Sequence, residues 1–167
     1  MRKTTILSTI KLNAAHVEMF SENNIELLQY DFIKILPLNF KLPSHNASWI
    51  FTSKNAVDAV YSSNEKVKCN EMPHYCVGEK TKLALVKNGQ KVIKTCNNSV
   101  KLANFIINND KNGKYVFCRG SIINKDFSDF FHTNKINLNE IAVYQTELVP
   151  EKINSTVDGI MFFSPSA

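Results

Sequence analysis

Trp49-Ile50-Phe51-Thr52-Ser53-Lys54-Asn55-Ala56 is the stretch that decides the fold, because an apolar segment turns at once into polar and small residues. Residues 49–52 predict a buried strand, and residues 56–60 predict a helix. The same change recurs along the chain, with strands at 74–77, 91–94 and 115–118 and helices at 81–88, 100–108 and 126–131. Such alternation builds βαβ units, whose right-handed crossovers form a parallel sheet covered on both faces. Residues 47–138 therefore predict a doubly wound, flavodoxin-like α/β domain.

A second unit of the same kind is predicted from the two ends of the chain. Residues 5–28 read as strand, helix and strand, and residues 157–163 read as a further buried strand. Two extended stretches at 37–46 and 139–152, punctuated by prolines, predict linker strands. We therefore expect two flavodoxin-like α/β domains joined by a two-stranded linker. The first domain is discontinuous, built from 1–36 and 153–167, and the second spans 47–138.

The last residues predict that the first domain is incomplete here. Ser164-Pro165-Ser166 places an N-cap serine before a proline at the first helical position, which is a good helix start. The chain stops one residue later, at Ala167. We therefore expect a C-terminal part of this domain to be missing, and poor stability if residues 1–167 stand alone.

Composition and charge narrow the class of ligand. No run of 18 apolar residues occurs, which predicts a cytoplasmic protein without a membrane partner. Cysteines and histidines are isolated, so we expect no metal site, and no motif calls for a cofactor. The formal net charge is +5, which favours an anionic partner. Because the lysines are dispersed and no nucleic-acid motif occurs, a small polycarboxylate is favoured over nucleic acid.

The candidate binding residues follow the predicted strands. In an open α/β sheet, ligands lie beyond the carboxyl ends of the strands, where helix N-termini attract anions. The 49–56 stretch resembles 160–167, since each is an apolar strand that ends in serine and alanine, and two such turns facing a cleft could hold several carboxylates. The candidates are Ser53, Lys54, Asn55, Thr81, Ser99, Arg119, Ser164 and Ser166. Taken alone, each hydroxyl or amide residue is more typical of an ordinary helix cap. A surface position is an equally good interpretation of Arg119.

Six short segments, in order, resemble one enzyme family. They are F-T-S-K-N-A-V at 51–57, V-G-E-K-T at 77–81, N-S-V-K-L-A at 98–103, C-R-G at 118–120, V-Y-Q-T at 143–146 and F-F-S-P-S-A at 162–167. Their order and spacing resemble those of uroporphyrinogen-III synthases. The N-terminal unit resembles the family in layout only, with Lys11 in the place of the family's arginine.

The resemblance implies a cofactor-free cyclisation of a linear tetrapyrrole in haem biosynthesis. The family's substrate, hydroxymethylbilane, carries acetate and propionate on every ring, loses its hydroxyl as water, and closes with inversion of ring D through a spiro intermediate. Because the bilane also closes unaided to the uninverted isomer, catalysis is expected to lie mainly in orientation. We also expect a monomer.

Tyr144 is the candidate catalytic residue. It matches the family's linker tyrosine, and a phenol that is protonated at neutral pH could donate its proton to the departing hydroxyl. Packing between domains is an equally good role for this ring. Two other functions stay open from the residues alone: a non-catalytic two-domain binder of a small anion, and a nucleic-acid-binding domain.

Overall fold

A computed structural model describes residues 3–44, 46–70, 72–122 and 125–163, with Val67 described only in its backbone. The chain divides into two compact units. The first unit comprises Met1–Ile35 with Thr146–Ala167, and the second unit comprises Leu36–Gln145. In the ranges described, no helix is long and apolar enough to cross a membrane.

Nine strands and five α-helices are present in the described residues. In chain order they are β1 (Thr4–Ser8), α1 (Ala14–Glu22), β2 (Ile25–Gln29), β3 (Ile33–Pro37), β4 (Ser48–Phe51), α2 (Lys54–Tyr61), β5 (His74–Val77), α3 (Glu79–Lys87), β6 (Val92–Cys96), α4 (Ser99–Asn109), β7 (Lys114–Gly120), α5 (Lys125–Thr133), β8 (Asn137–Leu148) and β9 (Gly159–Met161). A 3₁₀ turn, Asn64–Lys68, follows α2. The predicted mixed α/β class is confirmed.

The larger sheet has the order β3-β8-β7-β4-β5-β6, and the pairs from β8 to β6 are parallel. If the strands of the second unit are renumbered along the chain, with β4 as strand 1 and β8 as strand 5, their order in the sheet is 3-2-1-4-5. In this order the winding of the sheet reverses between β4 and β7. Alternation of strands and helices cannot predict which strands become neighbours, so the sequence pattern specified no strand order.

The sheet of the second unit is covered on both faces. Trp49 and Phe51 point to one face, where they pack with residues of α2 and α3. Ile50 points to the other face, where it packs with α4 and α5. All three side chains are fully buried. Side chains alternate across a strand, so a continuous apolar run is what a strand buried on both faces requires.

The predicted return linker begins inside this sheet. Residues 137–142 of β8 pair in register with β7, from Lys114↔Asn137 to Arg119↔Ala142, and the register then shifts by one residue, so that Gly120 pairs with Tyr144. The alternating pattern of the segment was correctly assigned to a strand. Its pairing with β7 depends on residues far away in sequence, so the stretch could not be recognised as the fifth strand of the second unit.

The first unit contains a three-stranded parallel sheet with the order β2-β1-β9. Helix α1 packs along β2 and has no buried residue. Strand β9 lies at the opposite edge, and the Ile160 side chain is 50% exposed. A strand at this position was correctly predicted, but its burial was not, because an edge strand of three residues has only one neighbouring strand.

Candidate active site

A cavity of about 300 Å³ lies at the carboxyl ends of the strands of the second unit. Its polar wall contains Thr52, Ser99, Arg119 and Tyr144, and its apolar wall includes Val77, Phe117 and Phe127. Thr52 directly follows β4, and Arg119 lies near the end of β7. The cavity therefore lies where the winding of the sheet reverses, which is the usual ligand position in open α/β sheets.

A larger groove, of about 580 Å³, lies at the amino ends of strands of this sheet. Met72 and Pro73 precede β5 there, and Lys91 precedes β6. None of the predicted site residues lines it. The cavity at the carboxyl ends of the strands is the better candidate, because open parallel sheets bind ligands at those ends.

Tyr144 is hydrogen-bonded to Ser53, and its ring lies close to Gly120. Its Oη donates to Ser53 Oγ at 3.3 Å. The same Ser53 oxygen accepts the Asn55 N–H at 3.1 Å, as the N-cap of α2. A β-carbon on Gly120 would lie 2.8 Å from Cζ of the phenol ring, so the ring needs a glycine at this position. Ser53 thus acts both as a cap and as the partner of Tyr144.

Arg119 already contacts a carboxylate of the protein. Its Nε donates to Glu140 Oε2 at 2.8 Å, and its Nη1 donates to the Gly120 carbonyl at 2.9 Å. The Arg119 and Glu140 side chains are each 18% exposed. On the other carboxylate oxygen, Oε1, Glu140 has His132 Nε2 at 3.8 Å. The guanidinium therefore lines the cavity while it is bonded to Glu140 and to the main chain.

Two other predicted residues lie at helix N-termini. Ser99 is the first residue of α4 and lines the cavity, while the cap is Asn98, whose Oδ1 accepts the Lys101 N–H at 2.9 Å. Thr81 was predicted among the ligand-binding residues that follow the strands. It lies instead in the first turn of α3 with 4% of its surface exposed, because the helix begins earlier, at Glu79.

The remaining candidates do not line the cavity or cannot be placed. Lys54 is exposed and forms an ion pair with Asp58 one turn along α2. Asn55 contributes its main-chain N–H to the cap of the same helix. Ser164 and Ser166 lie outside the described residues.

Thr52, Gly120 and Glu140 belong to the site or contact it, and none of the three was among the predicted site residues. Thr52 is adjacent to Ser53 at the end of β4, so the strand end could have indicated it. Gly120 follows Arg119 and could have indicated a close approach of another side chain. Nothing in the local pattern points to Glu140, because its contact with Arg119 depends on the register between β7 and β8.

Several titratable groups with shifted pKa values belong to the core rather than the cavity. Burial lowers the pKa of His74 to about 4, and its ring nitrogens contact the Met72 carbonyl and the Tyr61 hydroxyl. Burial raises the pKa of Cys69 to about 12. All four cysteines are free and buried, as small apolar residues would be. In the part of the chain that the structure describes, no group of three or more His, Cys, Asp or Glu could hold a metal ion.

Sequence comparison gives the family. A family model described as uroporphyrinogen-III synthase HemD matches residues 18–167. The chain belongs to the uroporphyrinogen-III synthase family. No curated protein sequence gives a significant match.

Solved structures of uroporphyrinogen-III synthases are similar in fold. The synthetase of Helicobacter pylori matches with a TM-score of 0.64 and 16% identity, over 91% of this chain and 65% of that one. A mutant synthase of the extremely thermophilic bacterium Thermus thermophilus matches with a TM-score of 0.58 and 10% identity, over 87% of this chain and 64% of that one. The chain thus spans slightly less than two thirds of the length of these relatives.

Proposed function

We propose that this protein is a uroporphyrinogen-III synthase that cyclises hydroxymethylbilane, a linear tetrapyrrole polycarboxylate, with inversion of ring D and loss of water. Membership of the family supports this reaction. The observation that carries it is the cavity at the reversal of the sheet, where Tyr144, Ser99 and Arg119 come together. The net charge of +5 suits a substrate with many carboxylates.

Orientation of the substrate is the main task of the enzyme in this proposal. The substrate can close without help, so the protein must favour one geometry of the chain over the other. Arg119 and the N-terminus of α4, with Ser99, bind substrate carboxylates. Phe117 and Phe127 form an apolar wall against which a pyrrole ring packs.

Tyr144 acts as the general acid. When the C–O bond of the hydroxymethyl group breaks, the phenol proton passes to the departing oxygen, and water leaves. The electrophilic azafulvene that results is attacked by the substituted carbon of ring D. Fragmentation and reclosure of the spiro intermediate then give the inverted macrocycle. The Ser53 hydroxyl, 3.3 Å from Tyr144 Oη, supports the orientation of the phenol.

The proposed organisation is that of two domains. Residues 1–36 and 153–167 form the first domain, residues 47–138 form the second, and 37–46 with 139–152 connect them. The division of the chain into two compact units supports this proposal. Ser53, Lys54 and Asn55 in the second domain, and Ser164 and Ser166 in the first, complete the proposed substrate-binding set. The protein is proposed to be a cytoplasmic monomer that needs no cofactor.

The test is the isomer ratio of the product. Purified protein is supplied with hydroxymethylbilane made in a coupled reaction, and the products are oxidised to porphyrins and separated. We expect uroporphyrin III to exceed uroporphyrin I, whereas the reaction without protein yields isomer I. A product consisting of isomer I alone would contradict the proposal. Binding of the bilane without any change in isomer ratio would identify the protein as a non-catalytic binder.

A further inference from the structure

Glu140 has no role in the proposed reaction, yet it is the carboxylate that contacts the cavity cation directly. Its Oε2 accepts a hydrogen bond of 2.8 Å from Arg119 Nε. Arg119 Nη1 also donates to the Gly120 carbonyl at 2.9 Å. These two bonds use two of the five guanidinium N–H groups and attach the side chain at two points.

The register of the sheet places Glu140 behind Arg119. Strands β7 and β8 pair Phe117 with Glu140 and Arg119 with Ala142. Glu140 therefore lies on the same face of the sheet as Arg119, one step back from the strand end. Helix α5 packs on this face and brings His132 Nε2 to 3.8 Å from the other carboxylate oxygen.

A protein carboxylate that already holds an arginine can strengthen the binding of a ligand by that arginine. Arginine loses much rotamer freedom when a ligand immobilises it, and that loss weakens binding. If the protein holds the guanidinium before the ligand arrives, most of the loss has already occurred at folding. Burial supports this role, because both side chains are only 18% exposed.

We propose that Glu140 is a positioning residue that holds the Arg119 guanidinium in the orientation in which it meets a ligand carboxylate. Glu140 contributes to ligand binding mainly through its hydrogen bond with Arg119 Nε, and less through its negative charge. The identity of the ligand, a tetrapyrrole polycarboxylate, rests on the proposed function. The positional role of Glu140 does not require catalysis.

The test is a double-mutant cycle with uroporphyrin III as the probe, measured by calorimetry. Glu140→Gln keeps an oxygen acceptor at the same distance, while Glu140→Ala removes it, and both remove the charge. We expect Glu140→Ala to weaken binding about tenfold and Glu140→Gln to weaken it less than about threefold. In an Arg119→Ala background, Glu140→Ala should change the affinity less than about twofold, because contacts that act through one another are not additive.

Asp129→Ala, which removes an exposed carboxylate from α5, is the matched control and should bind like the wild type. Unfolding midpoints of all variants separate loss of fold from loss of binding. Equal effects of the glutamine and alanine variants would overturn the proposal. Tighter binding by Glu140→Ala would also overturn it, as would an effect of Glu140→Ala that is just as large in the Arg119→Ala background. A wild-type protein that does not bind uroporphyrin III would overturn it as well. The isomer assay is independent: a protein that makes isomer III but fails the cycle keeps the proposed function and loses this inference.

Discussion

The two units of the molecule follow the same order of strand and helix, but they bury their apolar residues to very different extents. In the second unit, α2 and α3 cover one face of the sheet and α4 and α5 cover the other. In the first unit, α1 has no buried residue, and Phe162 is 65% exposed. A βα pattern therefore predicts which elements form, while burial depends on how many elements pack on each face.

The two units also show that the hydrophobicity of a short run does not predict how deeply it is buried. The apolar run at 49–52 and that at 160–163 look alike, yet Phe51 is fully buried and Phe163 is 49% exposed. Hydrophobicity is similar in both runs. The first run lies in a central strand with two neighbours, and the second begins in an edge strand with one. The predictions below test how far this contrast extends to stability and activity, from the largest effect to the smallest.

Phe→Ala substitutions in the two units compare their packing directly. Phe131 is fully buried in the second unit, so Phe131→Ala should lower the free energy of unfolding by about 3–5 kcal/mol. Phe162→Ala in the first unit should change it by less than about 0.5 kcal/mol. Urea unfolding can be followed by fluorescence of Trp49, the single tryptophan, which is buried in the second unit. Equal losses from the two variants would remove the contrast.

Tyr144→Phe tests whether the ordered cavity carries the chemistry. Loss of the proposed general acid should lower kcat about 10²–10⁴-fold with little change in KM, because the proton matters mainly when the hydroxyl leaves. Tyr75→Phe, in the core of the same unit, is the matched control and should retain wild-type kcat. Steady-state rates on hydroxymethylbilane give both constants. A loss that appears wholly in KM would assign Tyr144 to binding.

Acid should destabilise the second unit through His74. The unfolded state takes up a proton near the ordinary pKa of 6.5, whereas burial lowers the folded-state pKa to about 4. Stability is therefore unaffected by this group above pH 6.5 and falls by about 3 kcal/mol as the pH drops from about 6.5 to about 4. Unfolding of the wild type and of His74→Gln across this range should show a shallower slope in the variant. An NMR titration of His74 with a midpoint near the ordinary pKa would contradict the expectation.

Glycine-to-alanine changes compare a crowded position with a tolerant one. A β-carbon at Gly120 would lie 2.8 Å from the Tyr144 ring, so Gly120→Ala should displace the phenol and lower kcat about tenfold. A β-carbon at Gly159 would meet only the flexible end of Ile6, at 3.0 Å. Gly159→Ala should destabilise the protein by less than about 1 kcal/mol. Wild-type activity of Gly120→Ala would show that the phenol position is not critical.

Three residues that line the cavity were named from the sequence. Ser99 and Arg119 were identified near predicted strand ends and Tyr144 from its match to the family's linker tyrosine, and the cavity contains all three. Thr81 was placed wrongly because the exact start of α3 decides whether a hydroxyl points outward or into the core. A shift of two residues along a helix turns a side chain by about half a circle.

The sequence by itself determined the α/β class, the βα order and the family, because periodic burial and short turn motifs depend on neighbouring residues. The tertiary structure alone decided the strand order, the exposure of β9 and the contact between Arg119 and Glu140. These features depend on which distant strands pair and in which register. One step of register moves every side chain of a strand to the opposite face, so no local pattern could have specified that Glu140 lies behind Arg119.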